Sequence, residues 1–156
     1  MKRLLTAFVC CLVAGGAGAW DKNDWLAVGV AGDMAVFVRA ADEITIKATH
    51  TFWTAWVNST PSKPYDLELV LYRANCDTGM YQNQAGQSVA YLRGIRVGSD
   101  ATVSNWQYPL PGSVGESIFD VVCRDGKPVF GSYKVDNVAF NLVPIGKKIL
   151  RELQVR

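Results

Sequence analysis

Few side chains in this sequence are of a type that does chemistry, and their spacing limits what that chemistry is. There is a single histidine, His50. It falls in the run Ile44 to Val57, which is almost wholly β-branched or aromatic, and alternation puts it on the same side as Ile44, Ile46, Phe52 and Trp56. A general base needs a positioned partner, and a metal ion needs several ligands. One histidine on an apolar strand side offers neither, so His50 reads as structural. Asp66 and Glu68 stand two apart, as a carboxylate pair on one strand face would, but alternation along an exposed strand accounts for the same spacing. No glycine-rich phosphate loop occurs, and Gly115-Glu116-Ser117-Ile118-Phe119 lacks the closing glycine of a nucleophile elbow. The residues point to no catalytic set, no metal and no cofactor.

The thiols carry a different message. Of the four cysteines, Cys10 and Cys11 lie in an opening segment with a positive start, Lys2-Arg3, an apolar stretch from Leu4 to Ala14, and the small-residue end Ala17-Gly18-Ala19. That is the pattern of a secretory signal peptide over residues 1–19, with an apolar run short for a bilayer span. The small residues that precede a lipid-modified cysteine are missing. Cleavage after Ala19 leaves about 137 residues, enough for one domain with a core. It leaves Cys76 and Cys123, and two thiols in an exported chain are expected to pair. The enclosed loop of about 48 residues would stabilise the fold by on the order of 4 kcal/mol in a chain-entropy account. Removal of Lys2 and Arg3 also brings basic and acidic residues to equal number, so charge gives no reason to expect nucleic acid or a membrane surface as partner.

The elements that position these residues are mostly strands. Trp25–Val30 and Ala35–Arg39 read as a pair about the turn Ala31-Gly32-Asp33, and Ile44–Val57 as a long strand broken by Asn58 to Pro64. Asp66–Cys76 follows, then one or two strands from Met80–Arg93 and Arg96–Val103. Strands without intervening helices make an antiparallel meander the economical topology, in a mainly β, α+β domain. Pro111-Gly112 then opens Ser113-x-x-Glu116, a capping box in which Ser113 accepts from the Glu116 amide and the Glu116 carboxylate reaches the Ser113 amide. The helix it starts, about 113–123, carries Val114, Ile118 and Val122 on one stripe and ends on Cys123. So short a helix needs packing to persist. Parity puts Cys76 with Ala74, Tyr72 and Val70, the face that should receive this helix, while Leu67, Leu69 and Leu71 face the other way and also need cover. The cover is either a second copy of the molecule or the tail at 127–156, read as a strand-like Val129–Leu142 and a C-terminal helix, Ile145–Leu153. That helix would turn Ile149, Leu150 and Leu153 inward and Lys147, Lys148 and Arg151 to water.

These residues resemble the surface-adhesin protein E family of Gram-negative bacteria. The resemblance runs from about Trp25 to Cys123 and rests on the early tryptophan, the tryptophan-bearing long strand, Asn75-Cys76-Asp77, Trp106, Pro111-Gly112-Ser113, Glu116 and Cys123. It implies a surface-adhesin E-like domain over 20–126, with an antiparallel sheet of about six strands and a short helix disulfide-tied to one face. It also implies an envelope location, in some members a homodimer, and, for the founding member, adhesion to host extracellular-matrix proteins. The chain departs from it at Arg39, where similar sequences often carry aspartate, and in its longer tail.

Three further features are candidates for contact. Phe52, Trp53 and Trp56 are either an aromatic platform or core. Asn58-Ser59-Thr60 has the form of a glycosylation sequon. Tyr81 to Ser88 is polar around one aromatic, a composition that adapts to partners. The expectation is therefore an exported binding module in the periplasm or at the outer-membrane surface, recognising a host or envelope protein without catalysis. The alternative is a periplasmic structural or envelope-assembly factor docking through its tail.

Overall fold

The computed structural model describes residues 24–40, 48–59, 64–84, 88–100, 102–124 and 126–154. The segment read as a signal peptide and the Ile44–Lys47 start of the long strand lie outside the described residues. The elements are β1 (Trp25–Ala31), β2 (Met34–Ala40), β3 (Thr49–Asn58), β4 (Leu67–Asn75), β5 (Met80–Asn83), β6 (Ser88–Leu92), β7 (Ile95–Asp100), α1 (Val114–Cys123), β8 (Ser132–Tyr133) and α2 (Val138–Gln154). One antiparallel sheet holds all the strands in the order β7-β6-β4-β3-β2-β1-β8, with β5 also on β4.

The sheet has eight strands where about six were expected, and the difference has a local cause. β3 fills one edge of β4 along its length, from Thr49 opposite Asn75 to Val57 opposite Leu67. The other edge is shared: β5 pairs with Tyr72–Asn75, and β6 with Leu67–Leu69. They are successive parts of one return path along β4, interrupted near Gln84, whose amide still donates to the Leu71 carbonyl. The remaining addition, β8, is only a two-residue pairing with the start of β1. β6 and β7 are joined through Arg93 and Gly94, both with positive φ (50° and 79°), the backbone of a two-residue hairpin turn.

Alternation along these strands gives the sheet two apolar faces, and a helix covers each. On one face Val28, Val36, Val38, Phe52 and Ala74 pack with Ile118 and Phe119 of α1. On the other, Trp25, Ala27, Phe37, Ala55, Val57 and Leu67 pack with Leu142, Ile149 and Leu150 of α2. The result is three layers: α1, sheet, α2. The tail, and not a second copy, covers the Leu67 face. Full burial of Leu142, Ile149 and Leu150 contributes about 5–9 kcal/mol at roughly 1.5–3 kcal/mol a side chain, an upper value for an extended reference chain.

The tail is built differently from the sequence reading. Only Ser132 and Tyr133 of the strand expected at Val129–Leu142 are strand, and α2 begins at Val138, seven residues before the expected start. Pro144, a residue that ordinarily interrupts a helix, lies inside it. The proline removes a donor to the carbonyl one turn back, at Phe140, but both Pro144 and Phe140 are exposed, so water can replace the lost bond. The stripe Val138, Leu142, Ile145, Ile149 supplies the inward packing that continues the helix. At its far end Leu153 is 37% exposed, outside the stripe where it was expected.

Candidate functional site

Around α1 the sequence builds a tight frame. Leu110 to Ser113 form a turn closed by the Ser113 amide donating to the Leu110 carbonyl, with Pro111 at its second position and Gly112, at φ 71°, at its third. Ser113 Oγ accepts from the Glu116 amide at 3.3 Å. The Glu116 carboxylate reaches back one residue further than expected, accepting from the Gly112 amide at 2.6 Å. The turn explains the change, because it has already engaged the Ser113 amide. At the other end Arg124 donates to Asp120 Oδ1 at 2.8 Å and lies over the Phe119 ring.

Cys123, the last residue of α1, is disulfide-bonded to Cys76, with their Cα atoms 5.3 Å apart. Cys76 is held in the β4–β5 turn, where Asn75 Oδ1 accepts from the amides of Asp77 and Thr78. Gly79 closes that turn at φ 73°. The bond thus ties the C-terminal end of α1 to the hairpin flanking its own sheet face.

Between the N-terminal end of α1 and the sheet lies a cleft of about 250 Å³. Its floor is aromatic. Phe52 and Tyr72, directly opposite each other on β3 and β4, stack at 5.8 Å with planes 14° apart. Tyr81 of β5 stands 5.8 Å from Tyr72, and Trp56 completes the wall. The Trp56 indole N–H donates to Thr54 Oγ1 at 2.9 Å, and that hydroxyl donates to the Val70 carbonyl. A strap, residues 102–110, forms the rim: Tyr81 and Gln107 exchange two backbone hydrogen bonds of 2.9 Å, and Ser104 Oγ accepts from the Asn83 amide. Burial, with Tyr81 and Glu68 nearby, pushes the Tyr72 phenol up to about 12. Burial also raises Tyr81. Both phenols therefore stay protonated near neutral pH, as hydrogen-bonding tips and not as bases.

The residues singled out by type do not converge. His50 lies half-buried opposite Ala74 near the start of β3, with no carboxylate hydrogen-bonded to it among the described residues. Asp66 accepts from the Arg93 amide through both oxygens and so holds the β6–β7 turn. Glu68 instead accepts from the Tyr65 hydroxyl at 3.1 Å, and burial and this neighbour raise the Tyr65 phenol. The two carboxylates serve separate partners. Among the described residues no three His, Cys, Asp or Glu side chains gather to hold a metal ion. The aromatic triplet is split by alternation, with Phe52 and Trp56 toward α1 and Trp53 toward α2. Asn58 of the sequon is buried, its amide donating to the Tyr65 carbonyl. Of the Tyr81–Ser88 segment, Tyr81 turns into the cleft, and 85–87 lie outside the described residues.

No family model, curated protein or solved structure matches this chain. The cleft and the strap were missed in the sequence because their parts are scattered over β3, β4, β5 and α1. A partial signal was present: Trp106, Tyr108 and Leu110 are large apolar residues in a stretch with no strand or helix pattern. No helix among the described residues is long and apolar enough to cross a membrane.

Proposed function

We propose that this chain is an exported binding module of the surface-adhesin E type, which recognises a host extracellular-matrix or envelope protein and performs no catalysis. The observation that carries the reading is the bare end of the sheet at β7. β7 ends the strand order, and among the described residues its outer edge pairs with no strand. Leu92, Ile95 and Val97 are 41%, 69% and 50% exposed there, beside a shallow groove lined by Tyr65, Glu68, Ala90 and Gly98. Free edges are ordinarily shortened, charged, bulged or covered; β7 carries Arg96 and a register shift against β6 at Ala90/Tyr91, yet keeps Ile95 and Val97 exposed. An extended segment of a partner could add to β7 through backbone hydrogen bonds and lay alternate side chains on Ile95 and Val97. The intramolecular disulfide and the resemblance support export. The alternative of an envelope-assembly factor docking through its tail has less support, since Leu142, Ile149 and Leu150 face the sheet.

The test uses the oxidised protein from residue 20 onward on immobilised vitronectin and laminin. Saturable binding is expected, at least about tenfold weaker in an Ile95→Lys, Val97→Lys variant whose melting midpoint is unchanged. No binding to either matrix protein sinks the adhesin reading, and undiminished binding by the variant sinks the assignment to β7. Protease accessibility on intact cells then separates surface display from periplasmic residence.

A further inference from the structure

We propose that the cleft beneath α1 is a binding site for a small aromatic molecule that carries no negative charge. The proposal does not depend on the reading of β7, which lies at another part of the sheet.

The cleft is larger than a packing defect. About 250 Å³ is open here between a stapled helix and a continuous sheet, room for a molecule of one or two fused rings. Its walls favour a flat ring. Phe52, Tyr72, Tyr81 and Trp56 present faces and edges on the sheet side, and Ile118 and Phe119 close it from α1. Aromatic pairs prefer such offset or edge-on arrangements, which an inserted ring can extend.

Charge selects against anions. None of the residues lining the cleft carries a charged side chain. The N-terminal end of α1 would ordinarily attract an anion, but the Glu116 carboxylate already occupies that end, bonded to the Gly112 amide at 2.6 Å. A second negative group there would meet a like charge. The polar atoms available to a ligand are neutral: the Tyr81 hydroxyl, the Gln107 amide and Ser113 Oγ. These suit a ring bearing a hydroxyl or an N–H.

Gly115 keeps the mouth open. It is the second residue of α1, where alanine would favour the helix. A Cβ at that position would stand 3.2 Å from the Tyr81 hydroxyl and 3.3 Å from Ser113 Oγ, crowding the two hydroxyls that flank the entrance. The frame is fixed from both sides, by the disulfide at the far end of α1 and by the paired Tyr81 and Gln107 backbones at the rim. Such a preformed site costs little ordering on binding.

The test is a titration of the isotope-labelled, oxidised protein with 2-naphthol, followed by amide chemical shifts, with 2-naphthoate as the anionic counterpart. Saturable shifts are expected at Ser113 to Phe119, Tyr81 and Gln107, with a dissociation constant below about 1 mM. 2-Naphthoate should bind at least about tenfold more weakly. Gly115→Ala, whose Cβ would press on the Tyr81 hydroxyl, should weaken 2-naphthol at least about fivefold at a temperature where the variant is fully folded. The Ile95→Lys, Val97→Lys variant should bind 2-naphthol as the native chain does, so failure at β7 and failure at the cleft are distinguishable. The proposal is overturned by absent or non-saturating shifts, by shifts centred on β7, by equal affinity for the anion, or by undiminished binding in Gly115→Ala.

Discussion

Where α2 crosses β3, one hydrogen atom in place of a methyl sets the distance between the layers. A Cβ on Gly146 would lie 2.7 Å from Cβ and Cγ1 of Val57, closer than carbon atoms can approach. Glycine costs a helix interior about 1 kcal/mol relative to alanine, so its presence in α2 is explained by packing and not by propensity. Gly146→Ala is therefore expected to destabilise the protein by about 1–3 kcal/mol in denaturant unfolding, as overpacking does, despite the gain in helix propensity. In a Val57→Gly background, which removes the Cβ as well as the Cγ atoms, Gly146→Ala should cost less than in the native chain, because the two side chains compete for one space. Strictly additive effects would show that the crowding is relieved elsewhere. The same scale explains why His50, Asp66 and Glu68 do no joint chemistry. Their types suggested acid–base work, yet Asp66 holds the Arg93 amide, Glu68 holds the Tyr65 hydroxyl, and His50 stands apart from both.

At the scale of elements, α2 decides whether the sheet has one covered face or two. Its Leu142, Ile149 and Leu150 cover the face formed by Phe37, Ala55, Val57 and Leu67. Their burial is comparable with the whole net stability of an ordinary domain, about 5–15 kcal/mol. Deletion of residues 128–156 should therefore leave a chain without a cooperative unfolding transition, or one that associates through the uncovered face. A truncated monomer that melts cooperatively near the native midpoint would show that α2 is dispensable. α1 differs in kind. With ten residues it is too short to persist unaided. Its start is fixed by Ser113 and Glu116, its end by Arg124 and the disulfide, and its middle by Ile118 and Phe119.

Across the whole molecule, the bond between Cys76 and Cys123 spans 47 positions of sequence and joins the β4–β5 turn to a helix on the neighbouring layer. A cross-link of that length limits the unfolded chain and stabilises the folded one by on the order of 4 kcal/mol in the entropic account. Reduction, or Cys76→Ser, should lower the melting midpoint by about 10 °C or more in a domain of this size. An unchanged midpoint in both would mean that packing alone holds α1. With both helices laid over the middle of the sheet, β7 ends the strand order on one side, with the Phe140 ring of α2 against Gly94 of the β6–β7 turn, and the two-residue β8 ends it on the other.

Local chemistry made much of this legible in the sequence. Period-two runs placed β1 to β4, Pro111-Gly112-Ser113 and Glu116 marked the start of α1, and parity on Asp66–Cys76 assigned Cys76 to the face that α1 covers, because strand alternation and helix caps depend on neighbours within a few residues. The start of α2 was less legible, since Pro144 stands inside the helix and the packing that carries the helix past it is supplied by strands far away in sequence. The partition of Phe52, Trp53 and Trp56 between two layers, the separation of Asp66 from Glu68, and the assembly of the cleft from β3, β4, β5, α1 and the strap were decided only by tertiary structure. A site of that kind is set by distances between segments remote along the chain, and no spacing within one segment encodes them.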